Sequence, residues 1–292
     1  MNKYVLAVLG GGFAWGFMGF FTRHLAEFGI NSTSAIIIRC GLGAVCFGIL
    51  LLATGPKQFK IKAKDAWCFL GSGLLSLLFF TYCYFNAINM MSLSTAAILL
   101  YTAPTIVMLL SAVLFKEKIT KMKLLAVVLA FAGCCLVSGI TGGVSLTLGG
   151  LLFGLGSGFG YALYSIFARY ALQRGYSSNT INFYSCLLAA LGAAIIWGTD
   201  GCFTAMFSSP SAIFWCVGVG VLSCFLPYML YTYGLTGLEN GKASVLASVE
   251  PVVASLLGIF FYHEKMTVPS LIGVLLVLSA VVILNRKQKN QE

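Results

Sequence analysis

Apolar residues run along this chain in long blocks, and short intervening segments hold most of the charge. A block of about 17 to 25 such residues, wound as a helix rising 1.5 Å per residue, crosses ~30 Å of hydrocarbon. Ten blocks of this kind are predicted, at 5–22, 33–54, 66–88, 92–115, 124–141, 149–171, 178–198, 212–235, 240–262 and 269–284. The pattern predicts an all-α polytopic membrane protein.

The blocks also repeat. Residues 71–117 recur at 218–264 under an offset of 147, which superposes Gly71 on Gly218, Gly73 on Gly220, Tyr84 on Tyr231, Pro104 on Pro251 and Glu117–Lys118 on Glu264–Lys265. An offset of 146 extends the match upstream, with Gly12, Phe21, Arg23, Gly29, Ser32 and Cys40 on Gly158, Phe167, Arg169, Gly175, Ser178 and Cys186. The expected organisation is a first five-helix repeat at 1–141, a second at 149–285 and a tail at 286–292. An odd number of spans per repeat makes the two copies inverted in the membrane, an arrangement found in secondary transporters that bind substrate between repeats near the midplane.

Composition agrees. With 59% hydrophobic and 9% charged residues and a mean hydropathy of +0.95, the chain lacks the polar surface of a soluble globule. The net charge of +10 is an orientation signal. Lys57, Lys60, Lys62, Lys64, Lys116, Lys118, Lys121, Lys123, Arg286, Lys287 and Lys289 fall in segments on one face, while the opposite face keeps only Arg23 and Lys265. The positive-inside bias puts both termini in the cytoplasm, with the protein multi-pass in the cell (cytoplasmic) membrane. Basic residues spread along loops do not form a nucleic-acid patch, so no nucleic-acid partner is expected. The first block is too long for a signal peptide and is expected to stay as a helix. Nine of the ten cysteines lie in predicted spans as small hydrophobes, and Cys202 is expected in an outward loop, open to labelling.

Few residues carry chemistry. Glu250 lies about ten residues into its block, ~15 Å deep, where an ionised carboxylate needs water, a cation or a partner. It is a candidate for binding a substrate ammonium or a coupling proton; the alternative is a protonated Glu that caps backbone freed by Pro251. Arg39 either snorkels to the interface, pairs structurally within the protein, or grips a substrate carboxylate through its fork. Pro104 and Pro251 occupy equivalent midspan positions and are candidate hinges, or else serve packing alone. Trp15, Tyr101 and Tyr161 lie too deep for an interfacial belt; they line an amphipathic pocket or serve ordinary packing, and with Tyr82, Tyr231 and Ser248 they complete the candidate substrate-binding set. Gly12 and Gly16, and Gly150, Gly154 and Gly158, have the small-xxx-small spacing of close helix packing. Histidines are limited to His24 and His263, and no catalytic carboxylate pair, nucleophile–base set, metal cluster or phosphate loop is present, so no enzyme activity, metal or cofactor is expected.

Ser94-Thr95-Ala96-Ala97 leading to Thr102-Ala103-Pro104 and Phe115-Lys116-Glu117-Lys118, and Ser248-Val249-Glu250-Pro251 leading to Tyr262-His263-Glu264-Lys265, resemble the drug/metabolite transporter superfamily and within it the EamA family. The resemblance covers residues 5–284. It departs from the family's usual small-Gly-Glu wording at Phe115-Lys116-Glu117 and Tyr262-His263-Glu264. It implies ten helices in two inverted repeats around a central cavity, and transport of small organic metabolites, often amino-acid efflux. The expected function is a secondary transporter of a small-molecule substrate across the lipid bilayer by alternating access, exporting amino acids or related amphipathic solutes. An importer, a channel or lipid-translocating protein, and a noncatalytic scaffold are the alternatives.

Overall fold

A computed structural model describes residues 2–91, 93–138, 147–263 and 266–285, with the side chains of Leu93 and Ser94 left aside. The repeat pair Glu264–Lys265, the tail at 286–292 and the last part of the block expected at 124–141 therefore lie outside the described residues. Those that are described fold almost wholly as helix. The long units are α1 (Lys3–Glu27), α2 (Ser32–Thr54), α3 (Ala63–Met90), α4 (Thr95–Phe115), α5 (Lys121–Val137), α6 (Leu148–Gln173), α7 (Ser178–Trp197), α8 (Pro210–Leu235), α9 (Asn240–Tyr262) and α10 (Val268–Asn285). Among the described residues, nine are long and apolar enough to cross a membrane, and α5 is shorter, with 17 described residues.

The duplication is visible in the backbone. Each repeat turns its first corner with a left-handed glycine, Gly29 (φ +73°) or Gly175 (φ +83°), followed two residues on by a polar N-cap, Asn31 on the amide of Ser34 and Ser177 on that of Thr180. Within α3, Gly71–Leu78 winds as π-helix, and Val221–Phe225 does the same at the matching place in α8. Helix α4, continuous at its start with the segment Leu93–Leu100, is interrupted before Ala103–Phe115, and α9 between Asn240–Ala247 and Glu250–Tyr262. Both broken helices end in a left-handed non-glycine residue, Lys116 (φ 57°) and His263 (φ 54°). Every one of these α4 and α9 landmarks is related by the offset of 147.

The two halves are interlaced. Helices α1 and α2 pack on α8 and α9, while α6 and α7 pack on α3 and α4; α2 with α7, α4 with α9 and α5 with α10 close the bundle along its pseudo-symmetry axis. Glycine permits the closest approach. A Cβ on Gly12 would stand 2.8 Å from the Ala247 carbonyl oxygen, and one on Gly158 would stand 2.9 Å from that of Leu99. The first helix of each repeat thus lies directly against the break in the other repeat's helix. The small-residue spacing and the Gly154–Gly158 stretch serve helix packing, as their sequence context implies. Cys202 differs from expectation: it is 1% exposed, starts the short helix Cys202–Met206 and turns its thiol towards the Ser34 carbonyl, 3.8 Å away.

Candidate substrate site

The breaks in α4 and α9 face each other across the bundle axis. Pro104 and Pro251 stand second in the segments that follow the breaks. Each lacks the N–H that would bond the carbonyl four residues back, so the helix opens at Tyr101–Thr102 and Ser248–Val249. Between the breaks is a cavity lined by Tyr101, Pro104, Tyr161, Ser244, Ser248 and Glu250. A second cavity shares Tyr161 and is walled by Trp15 of α1, Ser76 and Phe80 of α3, Ser165 of α6, and Tyr228 and Tyr231 of α8. Each encloses about 10 Å³, the lower limit for a single water.

Trp15 and Tyr161 are repeat mates, and they meet near the axis with ring centroids 6.2 Å apart. The indole also contacts Tyr228 at 5.1 Å and Tyr231 at 5.3 Å, and Phe80 closes on Tyr161 at 5.6 Å. The Tyr231 hydroxyl is held 2.7 Å from that of Ser165, and Ser76, inside the π-helical turn, donates to the Gly160 carbonyl at 2.7 Å. Such rings offer a negative face to a cation. Glu250 begins the second segment of α9, is half-buried and lines this cavity together with Tyr161. It makes no side-chain cap and, among the described residues, no ion pair.

The structure therefore brings together Trp15, Tyr101, Tyr161, Tyr231, Ser248, Glu250, Pro104 and, outside the sequence-derived set, Ser244 of α9. Pro251 itself is buried just behind Glu250. Tyr82 is placed elsewhere: 43% exposed on the outer side of α3, it lies beside Trp197 and Phe153. Arg39 is 4% exposed and lines neither cavity, although Tyr228 adjoins both its guanidinium and the aromatic wall.

Two polar arrangements were not anticipated. Tyr164, Asn182 and Thr232 form a fully buried hydrogen-bonded set behind the aromatic wall. The Tyr164 hydroxyl bonds the Asn182 side-chain oxygen and stands 2.7 Å from the Thr232 hydroxyl, while Asn182 Nδ2 donates to the Tyr228 carbonyl at 3.1 Å. A lone amide in an apolar span was the available signal. At one end of the bundle, the Glu117 carboxylate accepts the amides of Asn240 (2.8 Å) and Gly241 (3.2 Å) at the start of α9, and Lys123 pairs with Glu239. Arg169 braces the same turn through Asn240 Oδ1 and the carbonyls of Leu235 and Leu238. A carboxylate from the first repeat thus caps a helix of the second, in the orientation the helix dipole favours.

Comparison with known proteins places this geometry. The model of the EamA-like transporter family matches residues 2–139 and again 148–286. An uncharacterized transporter of Archaeoglobus fulgidus is 34% identical over 200 residues, 68% of this chain and 70% of the relative; the uncharacterized transporter YwfM of Bacillus subtilis is 25% identical over 100% and 97% of the two chains. A protein of known crystal structure shares the fold with a TM-score of 0.81 over 97% of this chain and 96% of its own, at 16% identity. With both halves matched by one family model, the chain belongs to the EamA-like transporter family and is a multi-pass membrane transporter, not an enzyme.

Proposed function

We propose that this transporter exports a small amphipathic metabolite carrying an ammonium group, an amino acid or a related solute, from the cytoplasm by alternating access. The observation that carries the reading is the placement of Glu250: a single carboxylate, walled by Tyr101 and Tyr161, opens into a cavity between the two broken helices. A cation there gains both the carboxylate and the aromatic faces, and the apolar walls suit an apolar side chain. The repeats are inverted across the membrane, with termini cytoplasmic and ten spans once α5 is included. Pro104 and Pro251 act as hinges. The cavities are far smaller than such a solute, so the described state is an occluded one that must open to load.

Flux into proteoliposomes from a mixed pool of amino acids and amines tests this, comparing the intact protein with Glu250→Gln, with and without a pH gradient. Saturable enrichment of an ammonium-bearing solute by the intact protein, lost in the variant, is expected. If only the gradient response disappears, Glu250 carries a coupling proton instead. Non-saturable passage of many solutes would replace the transporter cycle with a channel, and equal flux by both proteins would remove Glu250 from the site.

A further inference from the structure

Among the described residues, Arg39 forms no direct ion pair. It is the eighth residue of α2, ~10 Å along the helix from its start at 1.5 Å per residue. A snorkelling Arg would extend its head towards the membrane border, but this side chain is 4% exposed and held inside the protein. Among the described residues no carboxylate pairs with it. Its Nε has no partner at all, and Nη1 meets only the thioether of Met18, a weak acceptor, at 2.9 Å. Its other neighbours are the thiols of Cys40 and Cys224 and the ring of Tyr228. A guanidinium taken out of water costs several kcal/mol; the field of Glu250 reaches it, but without a direct ion pair it offsets only part of that cost.

Symmetry sharpens the point. The position that matches Arg39 in the second repeat is Ser185, whose hydroxyl is fully employed by Ser72 at 2.5 Å and the Ile181 carbonyl at 2.7 Å. The same place in the fold is stable with a small neutral residue, so packing does not require an arginine. Among the described residues, the missing element is an anion in direct contact with the guanidinium.

We propose that Arg39 is the subsite for a carboxylate group of the transported solute, so that Arg39 and Glu250 recognise the two ends of a zwitterion. This rests on the reading of the Glu250 cavity given above. Two features link the places. Met18, which touches the guanidinium, lies one helical turn from Trp15 on α1, and Tyr228 adjoins both Arg39 and the aromatic wall. Charge selects the class of ligand. One Arg and one Glu sum to zero, and a zwitterion pairs both; a simple amine leaves Arg39 unpaired, and a phosphate dianion overfills a site that already holds Glu250. The planar fork of the guanidinium suits a carboxylate in two-bond contact.

Formate, the smallest carboxylate, is the probe. Thermal unfolding of the purified intact protein is followed as formate replaces chloride at constant ionic strength, with inorganic phosphate in parallel. The midpoint is expected to rise saturably with formate, and to do so in Glu250→Gln as well, because that change leaves Arg39 in place. Arg39→Met is expected to abolish the rise while leaving the ligand-free protein at least as stable as the parent, since it removes an unpaired buried charge. A purely structural arginine predicts the reverse, a destabilised variant. Arg39→Lys keeps the charge without the fork and should retain a smaller rise. In proteoliposomes the intact protein should prefer an amino acid over its decarboxylated amine by about ten- to a hundredfold, the worth of a charged hydrogen-bond pair, and the preference should vanish in Arg39→Met. No saturable formate response in folded protein, an equal response in Arg39→Met, or a stronger response to phosphate overturns the assignment. Loss of amine flux in Glu250→Gln is read separately, so failure of the carboxylate subsite and failure of the cavity are distinguishable.

Discussion

Replacing Gly12 with alanine adds one methyl group at a close contact between the repeats in which backbone faces backbone. That Cβ would stand 2.7 Å from Val249 Cγ1, 2.8 Å from the Ala247 carbonyl oxygen and 3.2 Å from Ala247 Cα. An ordinary carbon–oxygen contact is about 3.3–3.6 Å, so α1 or the broken segment of α9 must retreat by roughly half an ångström at a place where backbone, not a flexible side chain, is in the way. Overpacking of this kind costs about 1–3 kcal/mol. Alanine in a helix interior recovers ~0.8–1 kcal/mol relative to glycine, so a net loss of about 0–2 kcal/mol is expected, against a gain at a position with open space. Gly41 in α2, where an added Cβ meets nothing within 4 Å, is the control and should show only the gain. Reversible unfolding in mixed micelles measures the difference. Gly158→Ala, facing Leu99, Leu100 and Thr102 across the pseudo-symmetric contact, should cost a comparable amount. If Gly12→Ala proves as stable as Gly41→Ala, the first helix does not clamp the break in α9, and the interlaced account of the hinge is wrong.

Glu117→Ala removes the acceptor shared by the Asn240 and Gly241 amides, so the first turn of α9 should fray at a cost of about 1–2 kcal/mol; hydrogen exchange at those two amides is expected to accelerate about tenfold. Asn182→Ala leaves the Tyr164 and Thr232 hydroxyls and the Tyr228 carbonyl short of partners in a buried place, lowering stability by about 1–3 kcal/mol in thermal unfolding. Tyr82→Leu, on the outer surface, should change neither flux nor stability beyond about 0.5 kcal/mol, and a transport defect there would put α3 in the wrong rotation.

Helix content, the doubled chain and the midspan breaks were legible because each rests on local physics: apolar run length, a residue-by-residue offset, and a proline that lacks a donor. The midspan position of Glu250, which the structure places on the wall of a cavity, was legible for the same reason. Rotation about a helix axis was not. Tyr82 and Tyr84 stand just past the π-helical stretch Gly71–Leu78, whose wider turn shifts every later residue away from the face that a regular helix would assign. The depth of Arg39 followed from counting, but the inward aim of its side chain depends on which helices surround α2. Asn182 went unremarked because a neutral amide costs little by composition, and its value comes from Tyr164 and Thr232, brought from two other helices.

The crossing of helices between the repeats bears on how the chain is made. The N-terminal half enters the membrane first during synthesis, yet the surfaces that cover Gly12 and Trp15 belong to α8 and α9, which emerge near the end. Through most of its biogenesis the first repeat is a set of inserted helices still awaiting its principal partners. Neither half is an independent folding unit in that sense, and splitting the chain between α5 and α6 should yield fragments that mature only when they meet.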